Sequence, residues 1–250
     1  MSQTNMPLVK GQLIEQVRLH DHHDPHRHQS RLADVILGGQ DGLVNVLGVI
    51  LGVAAATQDT RIVIAAGLAA TFAESISMGA VAYTSTLADD DLYLSERERE
   101  YRHIHLAPDV EIEEIREIYR KKGFEGATLD KIVEVITSNP EVWVNVMMSE
   151  ELQLTPPDKS NAFGSALIVG FSALVGSLIP MLPFFFWNVT TGIWVSIAIA
   201  ALTLFIVGAY KARVTVGKPL RSGLQMTVIG TLSALAGYAV GLIFKVPALP

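Results

Sequence analysis

Five apolar stretches alternate with polar ones along this chain, at about residues 32–57, 62–88, 161–186, 190–210 and 221–244. Each is long enough to cross a bilayer as a helix, which rises about 1.5 Å per residue against a hydrocarbon core of about 30 Å. Between the second and third stretches lies a polar insert of about 70 residues whose own pattern is helical. From Thr84 to His105 there is neither proline nor glycine, so the second span is predicted to run on as one long helix, ended by Pro108. Asp109 then starts a helix that Gly123 stops, Thr128 is expected to cap the next, and Pro140 opens a third at a first helical position. Pro180 and Pro183 are expected to close the third span.

The pattern predicts an all-α polytopic membrane protein: five transmembrane helices with a small helical cytosolic domain inserted between the second and third. The expected domains are a disordered His-rich cytosolic tail over 1–30, transmembrane helices 1 and 2 over 31–88, the cytosolic helical domain over 89–158, and transmembrane helices 3 to 5 over 159–250. Arg18, Arg27 and Arg31 precede the first span, and Lys211, Arg213, Lys218 and Arg221 lie between the fourth and fifth. The connection from Pro183 to Thr191 carries no charge. By the positive-inside rule the N-terminus and insert are cytosolic and the C-terminus lies on the opposite side of a multi-pass integral membrane protein. Residues 1–30 show no apolar run of the kind a cleavable signal peptide needs. Gly48 with Gly52 and Gly237 with Gly241 recur at the spacing that lets helices approach closely.

Composition agrees: half the residues are hydrophobic and are concentrated in long runs, as soluble domains' are not, and the net charge of −6 sits mainly in the insert. No basic patch with interleaved aromatics is present, so nucleic acid is not an expected partner. Cysteine is absent, which excludes disulfides and thiolate metal sites.

Two acids interrupt the first spans. Asp41 and Glu74 fall inside stretches where an aspartate at mid-membrane costs roughly 2.5 to 3.5 kcal/mol, so each is a candidate for an ion or proton path. Asp34, Asp41 and Asn45 share one helix face at i, i+7 and i+11. Glu74 and Met78 are one turn apart, with Thr71 and Ser85 on the same stripe, and a carboxylate beside a thioether suits Fe²⁺ better than Mg²⁺ or Ca²⁺. The plainer alternative has Met78 packing and Asp34 at the membrane surface.

The insert repeats this chemistry. Glu96, Glu100 and His103 are spaced i, i+4, i+7; Glu111 and Glu114 i, i+3; Met147 and Met148 lie four and three residues before Glu151. These are stripes of metal ligands in one reading, the methionines being exposed. In the other they are a solvated acidic face paired with Arg97, Arg99, Arg116 and Arg120. His20, His22, His23, His26 and His28 cluster in the tail without helical spacing.

DGLVNVLGVILGV, AESISMGAVAYTS, the acidic insert and WVNVMMSEEL, in that order and spacing, resemble the vacuolar iron transporter family over residues 31–245. The resemblance implies a five-span homodimer that moves Fe²⁺, and in some members Mn²⁺, out of the cytosol in exchange for protons. No cofactor is implied: the metal is the transported substrate, H⁺ the coupling ion, and the bilayer the setting. It further implies a path at the dimer interface through Asp41 and Met78, to which Asn45 and Glu74 add by position. Metal capture is implied for Glu100, Glu111, Glu114, Met147, Met148 and Glu151. His103 stands where the family pattern has a glutamate, and Ala70 where it often has a carboxylate two turns before the methionine. An enzyme is not expected. A membrane-anchored di-iron oxidase of ferritin-like kind needs two Glu-x-x-His motifs, and only Glu100-Tyr-Arg-His103 is found. A metal sensor would have no use for Asp41 and Glu74 at bilayer depth.

Overall fold

The computed structural model describes residues 26–215 and 217–245, which among themselves are helical apart from short links. The residues divide into two compact units: Ala80–Ala166, and the described residues up to Gly79 together with those from Leu167 onward.

The larger unit holds the apolar spans. Helix α1 (His26–Thr57) starts five residues inside the tail expected to be disordered; His20, His22 and His23 lie outside the described residues. Its end is set by Thr57, whose hydroxyl donates to the Val53 carbonyl, and by Gln58 in the left-handed region at φ 54°. Asp59 then caps helix α2 (Thr60–Leu106), its Oδ1 accepting from the Arg61 and Ile62 amides at 2.8 and 3.4 Å. This two-residue link makes the last part of α1 and the first part of α2 antiparallel neighbours. Helix α2 is unbroken for 47 residues, about 70 Å, more than twice the thickness of the hydrocarbon core.

Three more helices complete this unit: α6 (Ala162–Phe186), α7 (Val189–Val214) and α8 (Pro219–Ile243). With α1 and α2 they give five helices long and apolar enough to cross a membrane. Pro180 and Pro183 lie inside α6 instead of closing the span. Ser196 Oγ on α7 donates to the Pro180 carbonyl at 2.6 Å, a buried hydrogen bond that ties α7 to α6. Leu43, Val46, Leu47, Ile50 and Leu51 place α1 at the centre of the core, against Met181, Phe184 and Leu204. Alpha-carbon contact with α8 depends on small residues: a Cβ on Gly237 would lie 2.2 Å from the Gly48 carbonyl oxygen.

The smaller unit contains the remainder of α2 with α3 (Pro108–Lys121), α4 (Gly126–Thr137) and α5 (Pro140–Val146), which passes into a π turn, Met147–Glu151. Pro108 occupies the first turn of α3, and Gly123 at φ 93° follows that helix in a conformation glycine tolerates. Thr128 does not cap α4; the helix starts at Gly126 after an extended Glu125 that makes no side-chain cap. Asn139 caps α5, accepting from the Glu141 and Val142 amides. Ile104, Ile115, Leu129, Val133, Trp143, Met147 and Met148 are among the residues that form its core. Lys159 Nζ reaches the largely buried Asp90 at 2.5 Å, tying α2 to the single 3₁₀ turn (Lys159–Asn161) that precedes α6.

Candidate metal centre and polar seam

Helix geometry sets the first constellation. Along α1, Asn45 lies about 18 Å and Asp41 about 24 Å from Thr57, while Glu74 lies about 21 Å along α2 from Thr60, so the hairpin brings the three to one depth. Asn45 Nδ2 donates to Asp41 Oδ2 at 3.2 Å and to Glu74 Oε1 at 3.0 Å. One amide thus holds two carboxyl groups on adjacent helices, and the amide is exposed on the surface of the single chain while both acids are half-buried. Met78, half-buried, is one turn beyond Glu74. Thr71, expected on the same stripe as Glu74, instead faces the core: its hydroxyl donates to the Gly67 carbonyl and to Met181 Sδ at 3.5 Å. Ser85 falls in the smaller unit. Asp34 is half-buried and engaged in an interaction of its own.

The second constellation lies in the smaller unit. Glu100 and Ile104 are both buried on α2, and Glu111 and Ile115 both buried on α3, so each acid occupies a core-facing position one turn from an isoleucine. Glu100 is 4% exposed and Glu111 5%. His103 Nδ1 lies 3.7 Å from Glu100 Oε1 and 3.5 Å from Glu111 Oε1, and one ligand atom from each of the three fits within 4.8 Å of the others. Glu100 Oε2 and Glu111 Oε2 are buried without a hydrogen-bond partner. Two such oxygens carry a large desolvation cost that a cation placed between them would offset.

Charge crowding shows in the acidities. Burial, reinforced by Glu114, Glu100 and Glu151 and by a hydrogen bond that protonated Glu111 donates to Glu114, pushes Glu111 up to about 7. Burial raises Glu100, and His103 and Arg99 partly offset this while Glu114 and Glu96 add to it. Glu151 is likewise raised by burial first, then by Glu114 and Glu100, against His103 and Arg99. Glu100, His103, Glu111, Glu114 and Glu151 are therefore one electrostatic cluster drawn from α2, α3 and the π turn.

The methionines differ from expectation. Met147 and Met148 are 0% and 1% exposed and belong to the apolar core, not to an exposed face. Helical spacing is the reason: Met147 and Met148 lie one turn after Trp143 and Val144, which are buried in the same core, and the π turn widens the helix only beyond them. Arg116 and Arg120, which the solvated-face reading paired with the acids, bond Glu113, Asp130 and Glu117 instead.

The sequence model of the VIT family matches residues 32–242. The chain belongs to the VIT family. It is 34% identical over 223 residues to "Vacuolar iron transporter 1" of Oryza sativa subsp. japonica, covering 88% of each chain. A protein of the same name from Tulipa gesneriana is 35% identical over 208 residues, 83% of this chain and 84% of the relative. "Vacuolar iron transporter" of Plasmodium berghei (strain Anka) is 30% identical over 254 residues, covering 94% of this chain and 93% of the relative. In this VIT family chain the matched region takes in both constellations and all five spans. Two features escaped sequence reasoning: the bridge from Asn45 to Glu74, which the short α1–α2 link could have suggested, and the burial of Glu100 and Glu111, detectable from their spacing to Ile104 and Ile115.

Proposed function

We propose that this VIT family protein is an integral membrane transporter that exports Fe²⁺, and also Mn²⁺, from the cytosol in exchange for protons. The observation that carries the reading is the Asn45 amide holding Asp41 and Glu74 together within apolar spans, an arrangement of no use to an anchor and suited to a passing cation. The relatives' printed name, vacuolar iron transporter, supports iron as the metal.

The smaller unit is the cytosolic capture domain. Glu100, His103 and Glu111 supply the first ligands, Glu114 and Glu151 the surrounding charge, and Met147 and Met148 a thioether floor that favours Fe²⁺ over Mg²⁺ and Ca²⁺. The captured ion passes to Asp41, Asn45, Glu74 and Met78. Protons arriving from the far side release it there, because a protonated carboxyl loses most of its affinity for a cation. Glu74 takes the part that a carboxylate at Ala70 would otherwise play. The N-terminus and the capture domain face the cytosol, where the basic loops are, and the C-terminus the opposite side. A second copy of the chain covers the seam.

The test is transport into proteoliposomes with an inward-acid pH gradient. Wild type accumulates Fe²⁺ and Mn²⁺ and stops when the gradient is collapsed, while Asp41→Ala falls at least tenfold. Uptake by Asp41→Ala equal to wild type would overturn the assignment.

A further inference from the structure

Helices α1, α6 and α7 enclose a groove of about 450 Å³ on the outside of the larger unit, remote from the Asn45 face. Its floor includes Leu43 and Leu204, both about 1% exposed, and its rim includes Phe171, Ile206 and Tyr210, all exposed. The floor is recessed because α1 and α6 meet backbone to backbone: a Cβ on Gly176 would lie 2.1 Å from the Gly39 carbonyl oxygen. Along α1 the groove runs from Leu32 to Leu43, about 16 Å, the depth of one leaflet of a hydrocarbon core about 30 Å thick.

Its two ends differ. On α7 the lining ends at Tyr210, and Lys211 and Arg213 follow immediately, both exposed and in the last turn of the helix. Helix direction places those cations, with the N-terminal end of α1, at the polar boundary of the leaflet the groove spans. Asp34, near the same end of α1, is engaged in an interaction of its own.

We propose that this groove is a binding site for one anionic phospholipid, an acyl chain lying along α1 and α7 and the headgroup phosphate meeting Lys211 and Arg213. Apolar surface alone selects no headgroup; the two cations that follow Tyr210 in the last turn of α7 do, since cations near the membrane surface attract an anionic lipid.

The test uses the purified full-length protein and native mass spectrometry, with dioleoyl phosphatidylglycerol against dioleoyl phosphatidylcholine, which share acyl chains. Wild type is expected to retain at least threefold more of the anionic lipid. Lys211→Gln with Arg213→Gln, both at exposed positions, should bring retention down to the phosphatidylcholine level, and Val175→Trp, at the exposed rim, should reduce both lipids. Lys131→Gln, an exposed cation of the smaller unit, should leave the preference intact. Equal retention of the two lipids by wild type would overturn the proposal. So would an unchanged preference in the double variant, unchanged retention in Val175→Trp, or an equal loss in Lys131→Gln. Melting of each variant, followed by circular dichroism, shows that the fold is retained.

Discussion

Glu111 is a carboxyl group on the apolar side of its helix, and its acidity follows from that position. With a folded value of about 7 against 4.5 when unfolded, the metal-free protein holds a proton that the unfolded chain has already released. The stability this gives is complete below about pH 4.5 and is lost as pH rises through about 7, on the order of 3 kcal/mol for the smaller unit. Urea unfolding followed by Trp143 fluorescence, with Trp187 and Trp194 replaced by phenylalanine, should show that slope, and Glu111→Gln should flatten it. Divalent metal should reverse it, because the ion binds the deprotonated carboxylates: Mn²⁺ should add little stability at pH 5.5 and several kcal/mol at pH 7.5 when present at 1,000 times its Kd. Asn45 tests the other constellation at the same scale. Asn45→Leu removes the donor to both acids while keeping the side chain on an exposed face, so Fe²⁺ transport should fall at least tenfold with the melting temperature nearly unchanged.

Among the elements, α5 and the turn after it carry the two methionines to which the proposed function gives a second task besides packing. Met147 and Met148 fill the core of the smaller unit, so truncating either to alanine should cost about 2–5 kcal/mol. Leucine keeps the volume, and Met147→Leu with Met148→Leu should cost less than about 1.5 kcal/mol per site. If stability is kept but Fe²⁺ affinity, measured by competitive titration, drops severalfold more than Mg²⁺ affinity, the thioethers serve capture as well as packing; equal losses would leave them packing alone. Sequence showed the spans, the unbroken α2 ending before Pro108, the Pro140 start and the stripes of Glu100, His103 and Glu111, because these are local: periodicity, breakers and spacing within one helix. It did not show that Met147 and Met148 are buried, because the spacing that sets them before Glu151 also sets them one turn after Trp143 and Val144, and only packing decides between the two stripes. Nor did it show Asn45 bonding Glu74 or Thr71 turning towards Met181, since those depend on which helix lies alongside.

The larger unit as a single chain leaves a polar strip open to its surroundings. Asn45 is exposed and Asp41 and Glu74 half-exposed at a depth where unpaired polar groups are costly in hydrocarbon, so the stable arrangement covers the strip. In the proposed homodimer a second copy related by a two-fold axis would do this with the same surface on both sides, and would place two sets of Asp41, Asn45 and Glu74 around one seam. Val49, one turn from Asn45 and exposed, lies on that face, whereas Leu202 on α7 and Ile229 on α8 are exposed on other helices. Because the chain has no cysteine, single substitutions report cleanly. In native membranes Val49→Cys should form a disulfide-linked dimer under mild oxidation, as two cysteines whose Cα atoms come within about 7 Å can, while Leu202→Cys and Ile229→Cys should remain monomeric on non-reducing gels. Cross-linking at Leu202 or Ile229 in place of Val49 would put the subunit contact on α7 or α8. It would leave Asn45 facing lipid, and a path shared between two copies would then have no walls.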